Sequence, residues 1–175
     1  ALFRFSPVST VNTLPFFVTL ATSLALVLTQ RWHGRLTLDS VSGVQKRHVA
    51  PTPRVGGIAL ALGLVAAYWV AAPPERGLLG PMALAAIPAF AAGLAEDLTK
   101  RVAVHIRLLA TMSSGVLAWL LTGVAMQDTG LWGLDHLLGF TPLAVLFTAF
   151  VVGGVANATN IIDGFHGLAS GVVGI

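Results

Sequence analysis

Five long stretches of this chain contain no charged residue, and short polar segments separate them. The uncharged stretches are Val11 to Gln30, Gly56 to Ala72, Leu79 to Ala95, Leu108 to Met126 and Phe140 to Ala156. Each has the ~17 to 25 residues that a helix needs to cross the hydrocarbon core of a bilayer. Polar and apolar residues do not alternate as they do in a membrane β-barrel. The pattern predicts an all-α fold, a polytopic transmembrane helix bundle with five full spans and the start of a sixth near Gly167.

The composition agrees with a membrane protein. Apolar residues make up 55% of the chain and charged residues 10%, whereas soluble domains average about 25% charged residues. The final residues, "GVVGI", lie inside an apolar run, so we interpret residues 1–175 as the N-terminal part of a single integral membrane domain. The sequence contains no cysteine, which excludes disulfides, zinc thiolates and a cysteine nucleophile.

The basic residues predict the orientation of the bundle. Eight of the ten Lys and Arg residues lie in two segments, Arg31 to Val55 and Glu96 to Arg107. The positive-inside rule places both segments in the cytoplasm and the N-terminus outside. By the same parity, the segment Asn157 to Gly171 is cytoplasmic. The positive charge therefore either sets the topology or binds anionic ligands. The sequence contains no nucleic-acid-binding module beside it.

The first of these segments contains a stiff basic loop, "QKRHVAPTPRVGG". Pro51 and Pro53 restrict its backbone, and Lys46, His48 and Arg54 concentrate positive charge there. One interpretation is an ordinary helix entry whose charges set the topology. The other is a loop that binds phosphate, with backbone N–H groups of the following helix adding to the site.

The second segment contains an acidic pair at the end of an apolar run. Glu96 and Asp97 are each followed four residues later by a base, Lys100 and Arg101. An ordinary helix exit uses this order of acid and base. Adjacent residues on a helix point about 100° apart, so the two carboxylates are poorly placed to share one metal ion. The functional interpretation is that one carboxylate faces a site and the other faces a base.

The third segment, "NATNIIDGFHGLASG", places polar residues between two very apolar runs. Asn157, Asn160 and Asp163 are three residues apart and lie within one 120° arc of a helix. Unpaired polar groups in lipid cost several kcal/mol, so this row needs a protein or water-filled cavity. The nearby Gly167 and Gly171 form a G-x-x-x-G pair, which is equally typical of plain helix packing.

Carboxylate and amide oxygens beside basic side chains favour a magnesium site and phosphoryl transfer. The alternative from another class is a transporter or channel with ion-coupling carboxylates. Such proteins carry charged groups near the middle of the membrane, whereas every acid here lies outside the five apolar runs. A scaffold built on small-residue packing would not require the row of Asn and Asp. Small residues on most helices also permit a homodimer.

Three motifs of this chain, in their order and on one predicted side of the membrane, resemble those of the polyprenyl-phosphate N-acetylhexosamine-1-phosphate transferases. They are "KRHVAPTPRVGG", "GLAEDLTKR" with Arg107 downstream, and "NATNIIDGFHGLASG". The resemblance implies a multi-pass enzyme of the bacterial cytoplasmic (inner) membrane with ten or eleven helices and a cytoplasmic active site. It also implies the reaction, in which undecaprenyl phosphate attacks the β-phosphate of a UDP-N-acetylhexosamine. The products are the polyprenyl-diphospho-sugar and UMP, Mg²⁺ is required, and the reaction starts cell-envelope glycans such as O-antigen.

The resemblance further implies roles for individual residues. Asp163 matches the aspartate taken to bind Mg²⁺, and Glu96 with Asp97 matches an acidic pair, one member of which is taken to engage or deprotonate the lipid phosphate. That pair is usually Asp-Asp, so Glu96 is a departure that leaves the division of roles open. The implied substrate-binding residues are Lys46, His48, Arg54, Asn157, Asn160 and His166. His166 stands where many relatives have a second aspartate, in "DGxDG".

Overall fold

The computed structural model describes residues 12–32 and 55–162, and the regular elements in these ranges are helical. The helices are α1 (Leu14–Leu28), α2 (Gly56–Val70), α3 (Pro73–Ala85), α4 (Ile87–Thr99), α5 (Val104–Thr122), α6 (Trp132–Leu138) and α7 (Thr141–Ile162). Helix α1 packs on α2, and α2 touches α3. Helix α5 lies at the centre of the remaining helices, because α3, α4 and α7 all pack against it. The predicted all-α architecture is confirmed for this part of the chain.

Within residues 12–32 and 55–162, fewer helices are long enough for a full span than the sequence predicts. Helices α5 and α7 are long and apolar enough to cross a membrane, and α3 with α4 forms a third candidate if the bent pair is one span. Helices α1 and α2 have 15 residues each, about 22 Å at 1.5 Å per residue, against a hydrocarbon core of about 30 Å. Helix α2 stops at Val70 because Pro73 disfavours a helical conformation at Ala72, which is extended.

The predicted third span, Leu79 to Ala95, is neither straight nor confined to those residues. Helix α3 begins at Pro73, so "PPERG" forms its first turn, where proline is favoured. The Glu75 carboxylate accepts a hydrogen bond from the Ala72 N–H at 3.0 Å. The pair α3 and α4 then bends by 46° at the break between them, where Pro88 lacks the N–H that would continue the helix.

At the bend, a backbone N–H group of α4 has its hydrogen-bond acceptor on α5. In an unbroken helix the Ala89 N–H would donate to the carbonyl four residues earlier. Here it donates instead to Ser114 Oγ of α5 at 3.1 Å, and the Ser114 side chain is buried. This hydrogen bond fixes the start of α4 to the middle of α5, which sets the position of the far end of α4.

We expect Ser114→Ala to destabilise the full-length protein, because the Ala89 N–H loses its acceptor in a partly buried place. An unsatisfied buried donor costs about 1 to 3 kcal/mol. The measurement is the midpoint of thermal unfolding in detergent. Ser113→Ala is the matched control, since the exposed Ser113 hydroxyl donates only to the Ala110 carbonyl of its own helix. Equal midpoints for the two variants would contradict the role of Ser114.

Helices α5 and α7 approach each other closely at small residues. A Cβ atom added to Gly115 of α5 would lie 2.8 Å from the Ala149 Cα atom of α7. Gly153 of α7 lies against α5 in the same way, because an added Cβ would be 2.7 Å from Met112 Cγ. Ala149 and Gly153 are buried at this contact. The small residues therefore allow the two backbones to pack directly, as is typical of helices in membranes.

Gly115→Ala is expected to lower the unfolding midpoint in detergent, because the new methyl group meets the α7 backbone, which cannot turn aside as a side chain can. Overpacking of this kind costs about 1 to 3 kcal/mol. Gly154→Ala is the control on the facing helix, since a Cβ atom there meets nothing within 4 Å. Alanine is the better helix former by about 1 kcal/mol, so the control variant should be unchanged or more stable. A Gly115→Ala variant as stable as the control would contradict the close packing.

The predicted loop between the last two spans contains the short helix α6. Asp135 of α6 accepts hydrogen bonds from the Thr129 N–H at 2.7 Å and from the Thr129 hydroxyl at 2.6 Å. These bonds, first the one from the hydroxyl, hold the pKa of the Asp135 carboxyl below its usual value. The loop is also attached to α7, because the Met126 N–H donates to Thr148 Oγ1 at 2.8 Å. This end of the bundle lies opposite the one that carries Glu96 and Asn157.

Candidate functional site

The candidate site begins where α4 ends and the chain turns back. Lys100 takes a left-handed conformation, with φ 56°, and its N–H donates to the Glu96 carbonyl at 2.7 Å. A left-handed residue after the last turn is a common way to stop a helix. Helix α5 starts four residues later at Val104. The tight reversal brings the first turns of α5 back beside the last turn of α4.

Arg107 of α5 joins two other helices at this end of the bundle. Its Nη1 atom lies 2.6 Å from Glu96 Oε2 of α4, and its Nη2 atom donates to Asn157 Oδ1 of α7 at 2.9 Å. The two nitrogens of the guanidinium fork thus bind different residues, 11 and 50 positions away in the sequence. We call these three side chains the Arg107 cluster. Planar, rigid donors make arginine suited to such a bridge.

The Arg107 cluster is largely shielded from water. The side chain of Arg107 is 13% exposed and that of Glu96 is 20% exposed. The Arg107 Nε atom is buried and has no hydrogen-bond partner in the described part of the chain. Charge-assisted hydrogen bonds are stronger than neutral ones, and shielding from water strengthens them further. The cluster is therefore a polar centre that holds the ends of α4, α5 and α7 together.

The structure places the second polar segment and residues 157–162 of the third at one end of the bundle. Helix α7 continues to Ile162, as the predicted row of polar residues requires, and Asn157 reaches Arg107. Asn160 lies on an exposed part of the same helix, and Asp97 is half-buried beside Glu96. Of the remaining predicted site residues, Lys46, His48, Arg54, Asp163 and His166 lie outside the described residues.

Arg107 is a residue of the candidate site that spacing alone does not identify. The sequence suggests that Glu96 pairs with Lys100 at the i, i+4 distance of a helix. Lys100 lies past the end of α4 in a left-handed conformation, so helical spacing does not apply to it. The structure shows an ion pair between Glu96 and Arg107, which is 11 residues away. In the sequence, Arg107 is indicated by the resemblance to the transferase motifs, which includes this residue downstream of "GLAEDLTKR".

The predicted magnesium site falls on residues that the structure does not describe. Within residues 12–32 and 55–162, no group of three His, Asp or Glu side chains is arranged to hold a metal ion. The donors that are described near this end, the carboxylates of Glu96 and Asp97 and the amides of Asn157 and Asn160, present the hard oxygen atoms that suit Mg²⁺. Binding of Mg²⁺ by Asp163 stays a prediction.

Comparison with known proteins gives one family match and several relatives. The family model described as glycosyl transferase family 4 matches residues 79–175. The decaprenyl-phosphate N-acetylglucosaminephosphotransferase of Mycobacterium leprae is 30% identical over 168 residues, which are 87% of this chain and 39% of that protein. The phospho-N-acetylmuramoyl-pentapeptide-transferase of Desulfitobacterium hafniense is 30% identical over 146 residues, 72% of this chain and 42% of that protein.

The chain spans about two fifths of the length of these two curated relatives. No solved structure gives a significant match to it. The family match includes α4, α5 and α7, so all three residues of the Arg107 cluster lie inside the matched range.

Proposed function

Because the chain belongs to glycosyl transferase family 4, a family of membrane transferases that build cell-wall glycans, we propose that the full-length protein is a sugar-phosphate transferase. Its proposed substrates are undecaprenyl phosphate and a UDP-N-acetylhexosamine, and its products are polyprenyl-diphospho-sugar and UMP. The names of the two relatives support a polyprenyl-phosphate acceptor and an N-acetylated amino sugar in the donor.

The observation that carries this proposal is the meeting of α4 and α7 through Arg107. It brings the acidic pair of one helix and the amide row of another to a single end of the bundle. Carboxylates at this end of the bundle can contact the phosphate of a membrane lipid. The amides lie on α7, which precedes Asp163 in the sequence. A lipid phosphate and a soluble nucleotide sugar can therefore meet where the helices end.

The proposed reaction exchanges one diphosphate linkage for another. An oxygen of the lipid phosphate forms a bond to the β-phosphorus of the UDP-sugar. The bond between that phosphorus and the oxygen bridging to the α-phosphorus breaks, and UMP leaves with the electron pair. Positioning and charge neutralisation supply most of the catalysis in phosphoryl transfer. One member of the acidic pair Glu96 and Asp97 engages or deprotonates the lipid phosphate.

The other predicted residues bind the donor. Lys46, His48 and Arg54 contact phosphate oxygens, and Asn157, Asn160 and His166 contact the nucleotide sugar. Mg²⁺, held by Asp163, would neutralise charge on the diphosphate. We place this end of the bundle at the cytoplasmic face of the bacterial inner membrane, because eight of the ten basic residues lie in the two segments predicted there.

The test is a transfer assay with the full-length protein in detergent, undecaprenyl phosphate and a panel of radiolabelled UDP-N-acetylhexosamines. We expect a magnesium-dependent lipid-linked product, and a loss of about 100-fold or more in Asp163→Asn, because several kcal/mol of charge stabilisation disappear. Asp128→Asn is the control, since Asp128 is exposed in the loop at the opposite end.

The accepted sugar would identify the donor. A folded wild type that makes no product from any donor would contradict the transferase proposal and favour the transporter alternative. Full activity of Asp163→Asn would leave the reaction in place and contradict the assignment of the metal ligand.

A further inference from the structure

We propose that a groove between α2 and the bent pair α3 and α4 binds one acyl chain of a phospholipid, and that Arg76 binds the phosphate of the same lipid. Arg76 lies at the end of the bundle opposite the Arg107 cluster. The site is therefore separate from the candidate functional site and does not rest on the proposed transferase function.

The bent pair touches α2 on both sides of its bend and leaves a cavity between the two contacts. Before the bend, a Cβ atom added to Gly80 of α3 would lie 3.3 Å from the ring of Tyr68. After the bend, the ring of Phe90 of α4 lies 3.7 Å from a Cβ atom added to Gly57. The cavity has a volume of about 670 Å³. We call it the apolar groove.

The apolar groove is lined by one face of each helix. Helix α2 contributes Leu60 and Leu64, which are four residues apart, and the bent pair contributes Leu84 and Ile87. Among its lining residues in the described part of the chain, Tyr68 alone carries a polar side-chain atom. Leu60 is 68% exposed and Leu84 is 57% exposed, so the groove is open to the outside of the bundle. Such a surface requires an apolar occupant.

The size of the apolar groove favours a lipid chain over another helix. From Gly57 to Tyr68, α2 rises by about 16 Å. A helix of that length and about 10 Å in diameter would fill about 1,300 Å³, roughly twice the volume of the groove. One leaflet of a bilayer has a hydrocarbon thickness of about 15 Å, half of the full core. The groove therefore has the length of one chain of one leaflet.

Arg76 supplies a positive charge at one end of the apolar groove. Its Nε atom donates to the Ala71 carbonyl at 2.9 Å, and its Nη2 atom donates to the Trp69 carbonyl at 2.6 Å. These bonds hold the guanidinium beside the groove, because its Cζ atom lies 5.9 Å from the centre of the Tyr68 ring. They use two of the five N–H donors, and the side chain is exposed. Arginine is well suited to bind phosphate oxygens.

The acidic neighbour of Arg76 is directed elsewhere. The Glu75 carboxylate accepts a hydrogen bond from the Ala72 N–H at the start of α3. A cation from which an apolar groove runs for the thickness of one leaflet fits a phospholipid, with its phosphate at Arg76 and one chain in the groove. The lipid substrate of the proposed reaction would instead have its phosphate at the opposite end, beside Glu96.

The groove is tested by thermal unfolding of the full-length protein in detergent, after removal of bound lipid, with added phosphatidylglycerol. We expect the wild-type midpoint to rise with lipid concentration, because the lipid binds the folded state. Ala61→Phe should abolish the rise, since Ala61 lines the groove and the ring would fill it. Leu62→Phe is the matched control, because the exposed Leu62 lies on α2 outside the lining. No rise in the wild type, or equal rises in the two variants, would overturn the proposal.

The role of Arg76 is tested by the lipid concentration that gives half of the rise. We expect Arg76→Gln to need about tenfold more phosphatidylglycerol, because a charge-assisted contact with the phosphate is lost. This readout is separate from the starting midpoint, which also reflects the bonds to Ala71 and Trp69. Arg101→Gln is the control, since Arg101 is exposed at the other end of the bundle. Equal lipid requirements in both variants would overturn the role of Arg76.

Two further ligands decide between other occupants. Glycerophosphoglycerol, which has the headgroup and no chain, should give no rise, and a rise equal to that of the lipid would overturn the role of the groove. Native mass spectrometry should show one phospholipid bound to the wild type and none to Ala61→Phe. Displacement of that phospholipid by equimolar undecaprenyl phosphate would overturn the assignment to a phospholipid. The absence of a bound phospholipid in the wild type would show that protein covers the groove and would also overturn the proposal.

Discussion

The close approach of α5 and α7 is the contact on which the candidate site depends. Gly115 and Gly153 remove the side chains that would keep the two backbones apart. As a result Arg107, two turns before Gly115, comes within hydrogen-bond distance of Asn157, one turn after Gly153. A wider separation of these helices would leave the guanidinium facing only Glu96. Small residues in the middle of the bundle thus decide whether polar residues meet at its end.

The second constraint is that backbone donors at breaks between helices need partners, since lipid supplies none. The structure meets this need with side chains of neighbouring helices. Ser114 accepts from the Ala89 N–H at the bend between α3 and α4, and Thr148 accepts from the Met126 N–H after α5. Each of these hydrogen bonds also fixes one element to another. The irregular points of the chain are therefore among the points that hold the bundle together.

The acidic end of α4 carries two neighbouring carboxylates with different surroundings. Glu96 belongs to a shielded ion pair, and Asp97 lies next to it at the same level. An anionic lipid headgroup and a nucleotide diphosphate both require positive charge and accurate placement. A buried cation that binds the carboxylate of one helix and the amide of another supplies placement, and the basic segment before α2 is proposed to supply charge.

The sequence by itself determined that the chain is helical and apolar, that three polar segments carry its chemistry, and that their motifs resemble one transferase family. Runs of apolar residues and local motifs suffice for these conclusions, because they depend on composition and short spacing. Tertiary structure alone decided that Ser114 accepts from the Ala89 N–H at the bend and that Arg107 joins Glu96 to Asn157. These contacts join residues 25, 11 and 50 positions apart, and no local spacing specifies such contacts.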